Sequence, residues 1–250
     1  MTVVNSDIVL TIDVDWAPDW MIEELSDTLL RKKVKATWFV THPSPAVESL
    51  KRQPDIFEIG IHPNCLIGST QGTNEDEILN YGKRLVPEAI SMRTHALYQS
   101  TPFLAKAALE YNISIDVSLF LPRTPNLIPH CLRWRGAELW RVPYFWEDDH
   151  EMFEPDPVWT ISDPRLHVPG LKIFDFHPVY VALNMTTFSL HERLKAGKPL
   201  PTWDRDYIRP HINDGHGPKT LFEELTDYLS SSGGKWIKEL VDPIKPNQVM

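Results

Sequence analysis

Thr11-Ile12-Asp13-Val14-Asp15-Trp16 closes the apolar run Ile8-Val9-Leu10 and carries two carboxylates separated by a single residue. Alternate residues of a strand point to one side, so Asp13 and Asp15 share a face while Val14 packs on the other. Two like charges held that close are costly without a cation or a shared proton. The stretch therefore predicts a strand over residues 8–15 that ends in a chemical site. Ile22, Leu25 and Leu29 repeat at helical spacing over residues 19–33, which makes the opening a βα unit.

The alternation continues outward from this unit. Residues 35–41 are near-continuously apolar, as a parallel strand covered on both faces should be. A short helix over residues 45–52 leads to a third strand at 57–62. Asn74 and Glu77 have the spacing of a helix cap, and the helix should run to Leu85 before Pro87 stops it. A fourth strand fits residues 89–95. Thr101-Pro102 then opens a helix with Leu104, Ala107, Ala108 and Tyr111 on its buried stripe. Strands at 113–120, 139–146 and 171–177 follow. Residues 147–170 read as a long loop near the site, and residues 178–219 as mostly irregular. A last helix starts at Thr220, turns Leu221, Leu225 and Leu229 inward, and ends at Gly233-Gly234. About seven parallel strands alternating with helices predict an α/β fold, a distorted TIM-like (β/α) barrel, with residues 1–250 as a single domain without repeat or linker.

Composition narrows the function. The 25 basic against 34 acidic residues leave a net charge of -9, which argues against nucleic-acid and anionic-membrane partners. Residues 1–7 have neither a basic leader nor a cleavage site, and no apolar run reaches about 18 residues, so a cytoplasmic location is expected. Cys65 and Cys131 lie far apart, without a C-x-x-C spacing, and are expected as reduced thiols. The 22 prolines and 9 tryptophans suggest ordered loops around an aromatic-lined cleft. Trp38, inside a strand, is assigned to packing, and a homo-oligomer is left open.

Barrel enzymes place their chemistry at the C-terminal ends of strands. Those ends carry Asp13 and Asp15, His62, Arg93 and His95, Asp116, Trp146 with Asp148 and Asp149, and His177. Nearly every strand ends in a carboxylate, an imidazole or a guanidinium, and this convergence outweighs any single motif. His42, His130, His150, His167, His191, His211 and His216 fall in loops and read as surface residues.

At these positions the chain resembles the polysaccharide deacetylases of the NodB-homology type. Thr11-Ile12-Asp13-Val14-Asp15 is similar to that family's first motif, and Ala36-Thr37-Trp38-Phe39-Val40 to the strand that follows it. Glu58-Ile59-Gly60-Ile61-His62 resembles the entry to the second motif, Met92-Arg93-Thr94-His95 the third, Trp146-Glu147-Asp148-Asp149 the fourth and Phe176-His177-Pro178 the fifth. The resemblance spans about residues 7–240 in the correct order. It implies a distorted barrel, one divalent metal with zinc as the expected ion, and hydrolysis of N-acetyl groups from sugars. It makes Asp13 the general base, Asp15 a metal ligand and His177 the general acid.

Two departures bear on the metal. The second motif normally has a second histidine four residues after the first, where this chain has Leu66, and the third has proline where this chain has His95. His95 is therefore expected to supply the missing imidazole, giving Asp15, His62 and His95 as ligands, with Asn64 as the competing third ligand. Zinc would bring the pKa of its water to about 7, and Arg93 would fix Asp13 by a charge-assisted hydrogen bond. Trp16, Asn64, Asp116, Trp146, Asp148 and Asp149 are expected to meet substrate. The expected cytoplasmic location directs the reading to a small soluble carbohydrate or a sugar nucleotide rather than a wall polymer. Hydrolysis of another linear or cyclic amide is one alternative. A non-catalytic carbohydrate- or metal-binding protein on the same scaffold is the other.

Overall fold

A computed structural model describes residues 7–241; residues 1–6, read above for a leader, lie outside the described residues. Within that range nine strands form one sheet: β1 Ile8–Asp13, β2 Ala36–Val40, β3 Phe57–Ile61, β4 Ser91–Met92, β5 Ile115–Asp116, β6 His130–Trp134, β7 Ala137–Arg141, β8 Trp146–Glu147 and β9 Lys172–Phe176. Their order is β6-β7-β5-β4-β3-β2-β1-β9-β8. The sheet curls into a half-barrel, so the α/β class and the distorted barrel expected from the sequence are met.

The strand count differs from the expected seven parallel strands, and β6 runs antiparallel to β7. Arg135 (φ 45°) and Gly136 (φ 91°) join these two strands. Positive φ at both central residues is what a tight two-residue hairpin requires. The expected strand at 139–146 is consequently split. Its first half pairs with β5 as part of β7, and its second half crosses to the other end of the sheet. On the way, Tyr144 N–H bonds Leu119 O and Phe145 N–H bonds Ile173 O, both at 2.9 Å. One stretch of backbone thus spans the gap between the two ends of the sheet.

The central strands β1, β2, β3 and β9 are in parallel register and almost fully buried. β4 and β5 are shorter than expected, and beyond β4 a side chain stands in for a ladder partner. Thr94 N–H goes to Ser118 Oγ at 2.9 Å rather than to a backbone carbonyl.

Helices α1 Asp19–Lys32, α2 Pro45–Lys51, α3 Glu75–Leu85 and α4 Thr101–Glu110 lie within a residue or two of their sequence-based bounds. Their starts follow local chemistry: Ser44, Asn74 and Ser100 accept from Val47 N–H, Glu77 N–H and Phe103 N–H. α1 buries Met21, Ile22, Leu25 and Leu29, each worth about 1.5–3 kcal/mol of apolar transfer. A short turn, α5 Asp148–Glu151, begins the otherwise mostly irregular stretch to residue 170.

Residues 178–219 are not mostly irregular. They form α6 Pro178–Leu183, α7 Phe188–Gly197 and α8 Arg205–Ile208, and α9 Pro218–Leu229 follows. Pro178 and Pro218 occupy first helical positions, where no N–H is needed. Asn184, at φ 48°, closes α6 in the left-handed conformation. None of the described helices is long and apolar enough to cross a membrane.

Candidate metal centre and active-site cleft

The C-terminal ends of β1, β3, β4 and β9 open into one cleft of about 940 Å³. Asp13, the last residue of β1, is 2% exposed, and the chain turns sharply just beyond it. Asp15 (φ 44°) and Trp16 (φ 56°) are both left-handed. Such a pair of non-glycine residues needs support, and Trp16 N–H finds it in Thr41 Oγ at 3.0 Å. The turn brings the Asp15 carboxylate over the ends of β3 and β4. Oδ1 of Asp15 lies 3.1 Å from His62 Nε2 and 3.1 Å from His95 Nδ1. One ligand atom from each of these three residues falls within 4.8 Å of the others.

This donor set fits a divalent cation. His62 Nδ1 faces Asp13 Oδ2 at 3.5 Å and has no hydrogen-bond partner closer than that. With Nδ1 turned toward Asp13, Nε2 faces the Asp15 carboxylate, and that contact takes either a proton on Nε2 or a cation between the two. Lone pairs facing one another in a buried site repel unless a positive charge lies between them. Burial resists charge on both partners, but the interactions overcome it. Asp13 and Asp15 raise the His62 imidazole above its usual range, and His95 with His62 holds the Asp15 carboxyl well below the usual carboxylate range. Asn64, the competing ligand, already uses its amide oxygen to accept Leu66 N–H at 3.0 Å.

Arg93 organises the floor beneath. Fully buried, it donates from Nη1 to Asp13 Oδ1 at 3.0 Å and to Asp175 Oδ1, from Nη2 to Thr11 Oγ at 2.9 Å, and from Nε to Val117 O at 3.2 Å. Its guanidinium also lies over the Phe39 and Tyr144 rings. Gly60 makes room for this arrangement: a Cβ there would come within 2.7 Å of the Phe39 ring and 2.8 Å of Ser91 O.

On the opposite wall His177 follows β9. Its Nδ1 meets Asp148 Oδ1 at 2.7 Å, and its backbone N–H donates to Asp148 Oδ2 at 2.8 Å. That pairing fixes the ring, with Nε2 3.6 Å from Asp15 Oδ2. Burial would depress His177, but the Asp148 carboxylate dominates and raises it well above the usual imidazole range. Burial pushes Asp148 itself up to about 6.

The remaining residues expected to meet substrate divide. Trp16, Asn64 and Asp149 line the cleft. Asp116 does not: it is wholly buried against Arg141 Nε at 2.5 Å and Ser118 Oγ at 2.7 Å. Trp146 packs among Trp159, Phe174 and Phe176 at 1% exposure. Asp148 is engaged with His177 and has no exposed surface. These three expectations of substrate contact are corrected: Asp116 and Asp148 spend their polar contacts inside the protein, and Trp146 is enclosed by aromatic rings.

His191 was read as a surface residue, yet it is 7% exposed, lines the cleft and packs against Tyr180, Phe188 and Trp203. Sequence reasoning missed Asp175 as the second partner of Arg93, and Glu147 in the cleft. Glu147 accepts Tyr144 O–H at 3.0 Å, and burial together with Asp149 raises its carboxyl well above the usual range. Alternation along β9 offered a signal for Asp175, two residues before His177. Glu147 stood inside the Trp146-Glu147-Asp148-Asp149 motif, next to the residues that were singled out.

A family model described as WbmS-like polysaccharide deacetylase matches residues 10–195. Among solved structures, a candidate polysaccharide deacetylase involved in O-antigen biosynthesis from Bordetella bronchiseptica is 30% identical. The match covers 88% of this chain and 90% of that one, with a TM-score of 0.75. A peptidoglycan N-acetylglucosamine deacetylase is 15% identical, with 94% of this chain and 88% of that one covered and a TM-score of 0.51. A 4-alpha-glucanotransferase from Thermococcus litoralis is 11% identical, with 96% and 39% covered and a TM-score of 0.52. The last two establish a shared fold alone. No curated protein sequence matches the chain.

Proposed function

The chain belongs to the WbmS-like polysaccharide deacetylase family, and on that premise we propose that it is a metal-dependent hydrolase removing an N-acyl group, acetyl first among them, from a carbohydrate. The observation that carries this reading is the meeting of Asp15, His62 and His95 between Asp13 on one side and His177 on the other. Asp15, His62 and His95 would hold one divalent cation, with zinc the ion that two imidazoles and a carboxylate suit. Such a cation supplies the positive charge that acidifies water and polarises an acyl oxygen.

The chain's own residues divide the proton work. Asp13, aimed by Arg93, accepts a proton from the attacking water. His177, charged through Asp148, delivers one from Nε2 to the departing nitrogen, which is a poor leaving group without it. Arg93 and Asp148 touch neither water nor sugar in this scheme and are positioning residues. The apolar lining from Leu97, Val179 and Leu200 suits the carbon face of a sugar ring.

Two measurements test the proposal. Protein prepared free of chelator should carry about one zinc or similar ion per chain and release amine from a panel of N-acetylated and N-formylated sugars, sugar nucleotides included. A protein that binds those sugars without releasing amine would be a binding protein on this scaffold. The second is a pH profile. Asp148 raises His177, so Asp148→Asn should lower the pKa of the proton donor. The alkaline limb of kcat/KM, where His177 loses its proton, should then move to lower pH. An unmoved limb would remove His177 as the acid.

A further inference from the structure

The turn that carries Asp15 also carries Trp16, and the two side chains approach the same imidazole. Asp15 Oδ1 stands 3.1 Å from His95 Nδ1, while the Trp16 and His95 rings are perpendicular at 89° with centroids 5.3 Å apart. The His62 ring packs on His95 as well, at 5.5 Å and 74°.

An imidazole that ligates a metal is ordinarily oriented by a hydrogen bond from its second nitrogen. His62 has the makings of one, since its Nδ1 is turned toward Asp13. His95 does not. Among the described residues nothing hydrogen-bonds its Nε2, and its side chain is 26% exposed. Its backbone is tied down, with His95 N–H on Pro63 O at 2.9 Å, but apart from the Nδ1 contact with Asp15 its χ rotation is limited by the rings around it.

Placing Trp16 there has a cost. A bulky residue at positive φ is strained, and Asp15 before it shares the strain. The loop on the other side is similar: Ala96 (φ 50°) and Leu97 (φ 53°) directly follow His95. Two left-handed turns from separate parts of the chain thus meet at one contact between aromatic rings. Strain of this kind persists only where the surroundings fix it, and here Thr41 Oγ fixes the Trp16 amide.

We infer that Trp16 is a positioning residue for His95, holding by ring packing the ligating orientation that Asp13 secures for His62. The inference rests on the metal reading above. It also joins the tryptophan directly after the second aspartate and the histidine in the third motif's proline position into one device.

Zinc titration of chelator-treated protein by calorimetry tests it, with a circular-dichroism melt for each variant. Trp16→Ala is expected to weaken zinc binding about tenfold, and Trp16→Phe to restore most of it. Trp16→Leu keeps bulk in the turn without the ring and is expected to lose affinity as the alanine variant does, which decides the matter should Trp16→Ala fail to fold. His95→Ala weakens binding on its own, and adding Trp16→Ala to it should cost nothing more, because the group being positioned is gone. Wild-type affinity in Trp16→Leu, with KM for an N-acetyl sugar raised instead, would make Trp16 a sugar-stacking residue and overturn the inference. An equal loss on the His95→Ala background would overturn it too, assigning Trp16 to the Asp15 turn alone. Wild-type protein that takes up no zinc would defeat the metal reading itself, a separate and recognisable result.

Discussion

Asp13→Asn is expected to lower kcat by about 10²- to 10⁴-fold on any N-acyl sugar the protein turns over, the range a positioned general base contributes. The substitution is close to isosteric. The amide oxygen can still accept from Arg93 Nη1, so the floor of the cleft should stay in place. What disappears is the acceptor for the water's proton and the carboxylate facing His62 Nδ1 at 3.5 Å. The second loss predicts a weaker metal site, by about 10- to 100-fold, because an outer partner of a ligating histidine has been removed. Assays with excess zinc separate the two effects. The kcat deficit should persist when every site is filled, and zinc bound per chain should return to the wild-type value. Activity recovered by added zinc would mean that Asp13 serves the metal and not the proton.

Much of this arrangement can be read along the chain, for reasons tied to particular residues. The β1–α1–β2–α2–β3 opening and α3 were readable because apolar runs and the Asn74 cap set local structure by themselves. Asp13, Asp15, His62, Arg93, His95 and His177 were readable as candidates because parallel strands bring their C-terminal ends together. What stayed hidden depends on partners distant in sequence. Asp148 looked like a substrate contact, but it lies 29 residues from His177 in sequence and bonds it twice. Asp116 looked available until Arg141, on a strand whose limits were misjudged, proved to cover it. The β6–β7 hairpin was missed although Arg135-Gly136 between two alternating runs is a turn signal. The helices of residues 178–208 were missed because a polar, proline-containing stretch was read as irregular, although Pro178 stands at the start of α6. His191 followed from that error, since a residue assigned to a loop was assumed to face water.

Arg93→Met should cost about 3–5 kcal/mol of folding stability, a large share of the roughly 5–15 kcal/mol that holds a domain of this kind together. Methionine fills much of the same volume against Phe39 and Tyr144, so the loss is electrostatic rather than a cavity effect. Removing the guanidinium strands the buried carboxylates of Asp13 and Asp175 with no cation between them, and leaves Thr11 Oγ and Val117 O each short of a donor. The pH dependence follows from Asp175. Burial already holds its carboxyl well above the usual range, and Arg93 is the chief influence pulling it down. Without Arg93 it rises further, so between its folded and unfolded pKa values the native state binds more protons than the unfolded chain. Stability then falls as pH rises through that window. Urea unfolding should therefore show a deficit that is level at low pH, where Asp175 is protonated in both folded proteins and their common unfolded state cancels, and that grows as pH rises past the wild-type folded pKa toward the variant's. Adding Asp175→Asn to the variant should recover part of the deficit at pH 7, because it removes one of the stranded charges. A loss below about 1 kcal/mol, or one that does not grow with rising pH, would mean that Arg93 is not the cation on which the buried carboxylates depend.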